Sequence, residues 1–173
     1  MSNIILIGFM GSGKTEVGRR LAQRLDYGFV DTDAMIEQSA GMRIAEIFAG
    51  QGEAAFRKME RDLIMRHLRR LDKTVISTGG GMAIFNNNLP RLKKLGKMVC
   101  LSAKPEVILK RLDGQSDRPL INTPNPREKI EMLLCRRREY YEQADFSVDT
   151  SELSADEVVQ KILDWLASEP EAT

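Results

Sequence analysis

Eight consecutive residues, Gly8-Phe9-Met10-Gly11-Ser12-Gly13-Lys14-Thr15, constrain this chain more than any other stretch. They follow an apolar run, Asn3-Ile4-Ile5-Leu6-Ile7, and open an amphipathic segment over residues 14–25. The spacing G-x-x-x-x-G-K-[ST] between a strand and a helix has a direct physical meaning. Glycines let the backbone curl so that successive N–H groups and a helix N-terminus meet phosphate oxygens; a lysine neutralises the β/γ charge; the hydroxyl beside it ligates Mg²⁺. Gly11, Ser12, Gly13, Lys14 and Thr15 are therefore the expected binding site for a nucleoside triphosphate and its magnesium.

The rest of the chain fits the fold that such a loop requires. Short apolar runs at residues 3–7, 28–31, 74–78, 97–101 and 146–149 alternate with helical patterns at 14–25, 33–39, 43–49, 53–71, 105–112, 126–144 and 154–167. That alternation predicts an α/β chain with a mostly parallel sheet covered on both faces. The last helix has Ser154 as its expected N-cap, with Glu157 completing a capping box. With 173 residues the chain has room for one core and one domain. Residues 168–173 read as a frayed tail.

Lys+Arg 26 against Asp+Glu 25 leaves a net charge of +1, so no overall field recruits nucleic acid or an acidic membrane. No segment approaches the roughly 20 apolar residues that span a bilayer, and the first residues carry no secretory signal pattern. Cys100 and Cys135 fit neither a metal-ligand spacing nor a disulfide framework, which suggests a reducing, cytoplasmic setting. Cys135 is expected to be a buried helix residue, and His67 a surface one.

The phosphate loop says little about the acceptor. A GTPase would need an Asp-x-x-Gly after a later strand and an Asn-Lys-x-Asp, and the chain has neither. The third strand ends in Thr78-Gly79-Gly80-Gly81 without an acidic residue, so the metal needs a carboxylate from elsewhere. Asp31, at the end of the second strand, is the natural supplier, because ligands of a parallel sheet gather at the C-terminal strand ends. Asp33 follows two residues later. If Thr32 is extended, the two carboxylates share a face roughly 6–7 Å apart, too far to be equivalent ligands of one ion. Asp31 then serves the magnesium, and Asp33 either faces an acceptor or caps the next helix.

Four other features bear on the acceptor. Arg57 begins a long helix, where the helix dipole opposes a bare cation, so it needs an anion: Glu60 or a ligand carboxylate. Three glycines, Gly79, Gly80 and Gly81, offer close backbone approach, more than a plain turn requires. Arg137 follows Ile130, Leu133 and Leu134 at spacings of seven, four and three, so it points with the apolar stripe and needs a partner of its own. Residues 113–126 (DGQSDRPLINTPNP) break the α/β rhythm, as binding loops and lids do. There Arg118 is either an exposed loop residue or one that closes over the transferred phosphoryl group.

Taken with LIGFMGSGKTEVGRRLA (6–22), the stretches FVDTD (29–33), IAEIFAGQGEAAFRKME (44–60), ISTGGG (76–81), SDRPL (116–120) and CRRREYYEQADFSVDT (135–150) resemble the shikimate kinase family in order and spacing. The resemblance implies a P-loop fold like that of the nucleoside-monophosphate kinases: a three-layer sandwich on a five-stranded parallel sheet in order 2-3-1-4-5, with a mobile lid at 112–125. It implies transfer of the γ-phosphoryl group of ATP to the 3-hydroxyl of shikimate, with Mg²⁺ as cofactor. Residues 33–60 would form the shikimate-binding region. Asp33 would sit near the 3-hydroxyl, Arg57 and Arg137 would grip the carboxylate, and the Gly79–Gly81 backbone would contact the ring substituents. Thr15 would ligate magnesium directly and Asp31 through water. Lys14 and Arg118 would contact the phosphates, and Arg111 would pack on adenine. The competing expectations are another small-molecule P-loop kinase, such as a gluconate kinase, and a nucleotide-dependent interaction module without catalysis. Size and fold make a monomer the default, with no nucleic-acid or membrane partner.

Overall fold

The computed structural model describes residues 3–113 and 122–170. Strand β1 (Asn3–Ile7) is buried at all five positions, which places it at the centre of the sheet. Helix α1 (Lys14–Leu25) follows the phosphate loop, and β2 (Gly28–Asp31) runs into α2 (Thr32–Ala40) without an intervening loop. Next come α3 (Ile44–Gln51), α4 (Glu53–Arg66), β3 (Thr74–Ser77) and α5 (Leu89–Lys93). The chain continues through β4 (Gly96–Ser102), α6 (Pro105–Leu112), α7 (Pro126–Tyr141), β5 (Phe146–Asp149) and α8 (Ala155–Ser168).

All the strand pairings are parallel, and the order is β2-β3-β1-β4-β5. Because side chains alternate along a strand, β1 feeds two layers. Ile4 and Leu6 pack with Val17 and Leu21 of α1 and with Val158, Val159 and Ile162 of α8. Ile5 and Ile7 face the opposite layer, where Ile36, Ile47, Phe56, Leu63 and Leu92 come from α2 to α5. A third cluster, including Phe9, Met10, Ile108, Leu112 and Ile130, props the phosphate loop against α6 and α7. The sandwich and strand order are those that the resemblance implies.

Several expectations shift. The helix expected over 53–71 ends at Arg66, and residues 68–70 form a 3₁₀ turn that buries Leu68. Helix α5 is additional. The helix expected over 126–144 ends at Tyr141. Cys135 is exposed and Cys100 is the buried cysteine: on α7 the fully buried positions are Ile130 and Arg137, and Cys135 falls off that face. His67 is exposed, as expected. Ser154 caps α8 with Glu157 in the reciprocal box that the sequence predicts. No described helix is long and apolar enough to cross a membrane.

Candidate active site

The phosphate loop joins β1 to α1 in the geometry its sequence requires. Gly13 is the N-cap of α1 at φ 97°, a value that favours glycine, and no side chain caps the helix. The first amides of α1 are therefore left to an anion. Lys14 is buried, with Nζ donating to the carbonyls of Gly8 at 2.8 Å and Phe9 at 2.9 Å, so its charge is held inside the loop. Thr15 Oγ1 donates to Asp31 Oδ2 across 2.8 Å, from α1 to the end of β2. This pair presents only oxygen ligands, as a magnesium site requires. Among the described residues there is no cluster of three or more His, Cys, Asp or Glu that could hold a metal. Such a sparse set fits Mg²⁺, which takes most of its ligands from phosphates and water.

The two aspartates are arranged differently from the extended expectation. Thr32 is the first residue of α2, and Asp31 is its N-cap. Asp31 Oδ1 accepts from the amides of Asp33 at 3.0 Å and Ala34 at 3.2 Å, while Oδ2 faces Thr15. The capping role weighed for Asp33 thus belongs to Asp31, and a helical turn, not a strand pleat, aims Asp33.

Asp33 stands where two cavities meet. One, of about 290 Å³, is lined by the phosphate loop with Thr78, Gly79, Gly80 and Arg111. The other, of about 440 Å³, is lined by residues of α2, α3 and α4, including Glu37, Ile44, Phe48, Arg57 and Glu60. Met10, Thr15, Asp31, Asp33 and Gly80 border both.

In the larger cavity Arg57 is buried, with Nη1 donating to Glu60 Oε2 at 2.9 Å and Nη2 to Glu53 Oε1 at 3.1 Å. Its guanidinium lies 4.2 Å from the centre of the Phe85 ring, a cation–π contact. Glu60, one of the two anions expected for Arg57, is in contact with it. Burial pushes the Glu60 carboxyl up to about 7 against the pull of Arg57, and the nearby Asp33 adds to the rise.

The glycine triplet owes its composition to three neighbours. A Cβ on Gly79 would collide with Asp33 Oδ1, and one on Gly81 would lie 2.6 Å from Arg57 Nη1. One on Gly80 would crowd the Met10 amide at 3.1 Å. The segment thus makes room for a carboxylate, the phosphate loop and an arginine in turn. The amide of Gly79 donates to Thr32 Oγ1 at 2.9 Å, tying it to the first turn of α2.

Arg137 is buried, as its stripe position predicts, and lies behind the triplet. Its Nη1 donates to the Gly80 carbonyl at 3.1 Å, and its guanidinium lies 5.4 Å from the Phe9 ring centre. Tyr141, one helical turn later, donates its hydroxyl to the same carbonyl at 3.2 Å, and burial pushes that phenol up to about 12. Tyr141 and Thr32 escaped sequence reasoning. The available signal was the four-residue spacing from Arg137, which puts both side chains on one helix face.

Arg111, near the end of α6, lines the smaller cavity. It donates to the Gly11 carbonyl at 3.1 Å and through both Nη atoms to Thr150, at 3.0 and 2.8 Å. Arg118 and most of the expected lid at 112–125 lie outside the described residues.

Comparison with known proteins agrees with this geometry. A family model described as shikimate kinase matches residues 10–167. A shikimate kinase of Thermodesulfovibrio yellowstonii is 46% identical over 163 residues, covering 94% of each chain. One from Thermoanaerobacter pseudethanolicus is 42% identical, covering 94% of this chain and 95% of its own. The solved structure of shikimate kinase from Acinetobacter baumannii in complex with shikimate superposes with a TM-score of 0.94 at 36% identity, covering 99% of this chain and 96% of that one. A gluconokinase from Sinorhizobium meliloti, 20% identical with a TM-score of 0.61, shares the fold alone. With its phosphate loop, strand order and near-complete coverage in agreement, this chain belongs to the shikimate kinase family.

Proposed function

We propose that this chain transfers the γ-phosphoryl group of ATP to the 3-hydroxyl of shikimate, giving shikimate 3-phosphate and ADP. The observation that carries the reading is the meeting of two cavities at Asp31, Asp33 and Gly80: one built from phosphate-binding residues, the other containing a buried arginine. An acceptor with one carboxylate and several hydroxyls needs that mixture of arginine, carboxylate and backbone groups.

In this reading Lys14, the Gly11–Gly13 backbone and the α1 N-terminus hold the triphosphate. Thr15, and Asp31 through water, would hold Mg²⁺, which when bound would offset charge on the β- and γ-phosphates. Arg57 grips the acceptor carboxylate from the cavity side, and Arg137, fixed on the Gly80 carbonyl, serves it from behind the triplet. Asp33 orients the 3-hydroxyl for in-line attack at the boundary of the two cavities. The chemistry is direct displacement, helped by positioning and electrostatics rather than by a covalent enzyme intermediate. Arg111 is assigned to the base side of the nucleotide, and Arg118, outside the described residues, is assigned a phosphate contact. The chain acts in this reading as a monomer in the cytoplasm with no membrane or nucleic-acid partner; among the described residues Met65 is the exposed large hydrophobic side chain, which supports the monomer.

The test is a coupled assay with MgATP against shikimate, gluconate and nucleoside monophosphates. Turnover with shikimate alone supports the reading. Turnover with gluconate or a monophosphate and none with shikimate overturns it.

A further inference from the structure

The carboxylate of Glu60 is fully buried and only half satisfied by its protein neighbours. Oε2 meets Arg57, but Oε1, also buried, has no hydrogen-bond partner among the described residues. A second carboxylate converges on the same point. A Cβ on Gly79 would touch Asp33 Oδ1 and lie 3.3 Å from Glu60 Oε1. The charges around Glu60 come from three helices: Asp33 on α2, Arg57 and Glu53 on α4, and Arg137 on α7. Glu53 is half exposed, leaving two buried cations, Arg57 and Arg137, against Glu60 and Asp33.

A ligand carboxylate brought to Arg57 and Arg137 adds a third anion to that balance. It also competes with Glu60 for the Arg57 guanidinium. Two carboxylates crowded into one low-dielectric site do not both stay ionised. Of the two carboxylates Glu60 is the fully buried one, whereas Asp33 is half-buried and borders both cavities, and a protonated Oε1 of Glu60 becomes a donor where none existed.

We propose that Glu60 takes up one proton from solvent when the carboxylate of the acceptor binds, making substrate binding proton-coupled at this site. The inference rests on the shikimate reading of the larger cavity. The step balances simply: a carboxylate and a solvent proton become a carboxylic acid, and no covalent bond to the ligand forms. Burial raises the Glu60 carboxyl only to about 7, so before the acceptor binds it is mostly ionised at mildly alkaline pH and available to take the proton.

Titration calorimetry of the full chain with shikimate at mildly alkaline pH, in buffers of different ionisation enthalpy, measures the proton count. The expected result is uptake of roughly one-half to one proton, with Kd weakening by up to about tenfold per pH unit above neutrality and levelling off on the acid side. In Glu60→Gln the uptake disappears and the pH dependence flattens. A neutral carboxamide analogue of shikimate binds the natural chain without uptake, a control that does not depend on the variant folding. A role for Glu60 in merely holding Arg57 would weaken binding in Glu60→Gln but leave the proton count unchanged, and that outcome overturns the proposal. So does a heat independent of buffer in the natural chain, or equal uptake with the carboxamide. Absence of shikimate binding in every buffer would instead overturn the substrate reading, and this inference with it.

Discussion

The carboxylate of Asp31 accepts the amide of Asp33 at 3.0 Å, so the aspartate nearest the phosphate loop also fixes the helical turn that carries its neighbour. The other oxygen of Asp31 faces Thr15. A single side chain thereby joins Thr15, the proposed magnesium ligand, to Asp33, the residue proposed to face the acceptor.

Replacing Asp31 separates these roles. Asparagine is as good an N-cap as aspartate, so Asp31→Asn should keep stability within about 0.5 kcal/mol while raising the Mg²⁺ concentration needed for half-maximal turnover. Asp31→Ala should lose the cap as well, at a cost of about 1 kcal/mol. Thermal unfolding and magnesium titration of the two variants check this. Equal destabilisation of both would contradict the capping role.

The glycine triplet predicts a position-specific pattern. Gly81→Ala pushes against Arg57 and should raise KM for shikimate by roughly tenfold or more while leaving KM for ATP near its original value. Gly79→Ala pushes against Asp33 and should lower kcat by on the order of 100-fold, because it moves the group proposed to orient the attacking hydroxyl. Steady-state kinetics with each substrate varied in turn separates the two effects, and identical profiles would argue against distinct neighbours.

Glu60 also predicts how the ligand-free protein responds to pH. Its carboxyl is raised from 4.5 to about 7 in the folded state, so the folded chain binds the proton more tightly than the unfolded one. The resulting stability is present in full below about 4.5, falls as pH rises towards 7 and is gone above it. The change is about 3 kcal/mol, at about 1.4 kcal/mol per pH unit. Denaturant unfolding of the natural chain and Glu60→Gln across this range should show the difference between them changing with that slope. Parallel curves would mean that Glu60 is not the titrating group.

The sequence made legible the parts of the molecule whose physics is local. The phosphate loop needs a strand, glycines, Lys14 and the start of α1, all contiguous. The Ser154 and Glu157 box works across three residues, and the seven-residue interval from Ile130 to Arg137 placed that arginine inside. What depended on distant packing was harder to read. Helix α5 is five residues long with Pro90 in its first turn, too short to show a period. A strand at 28–31 and a helix from 33 leave Thr32 extended between them, whereas α2 starts at Thr32 itself, and it is the Asp31 cap that marks the change of backbone. The reason for each of the three glycines lies in Asp33, Met10 and Arg57, separated from the triplet by more than twenty residues and brought to it by the sheet and α4.

The most direct test of the division between nucleotide and acceptor sites is to measure ATP affinity and shikimate turnover together in Asp33→Asn and Arg137→Ala. Each variant should lose shikimate phosphorylation by on the order of 100-fold or more while binding ATP within about threefold of the natural chain. Near-normal turnover combined with lost nucleotide affinity, in either variant, would contradict the division.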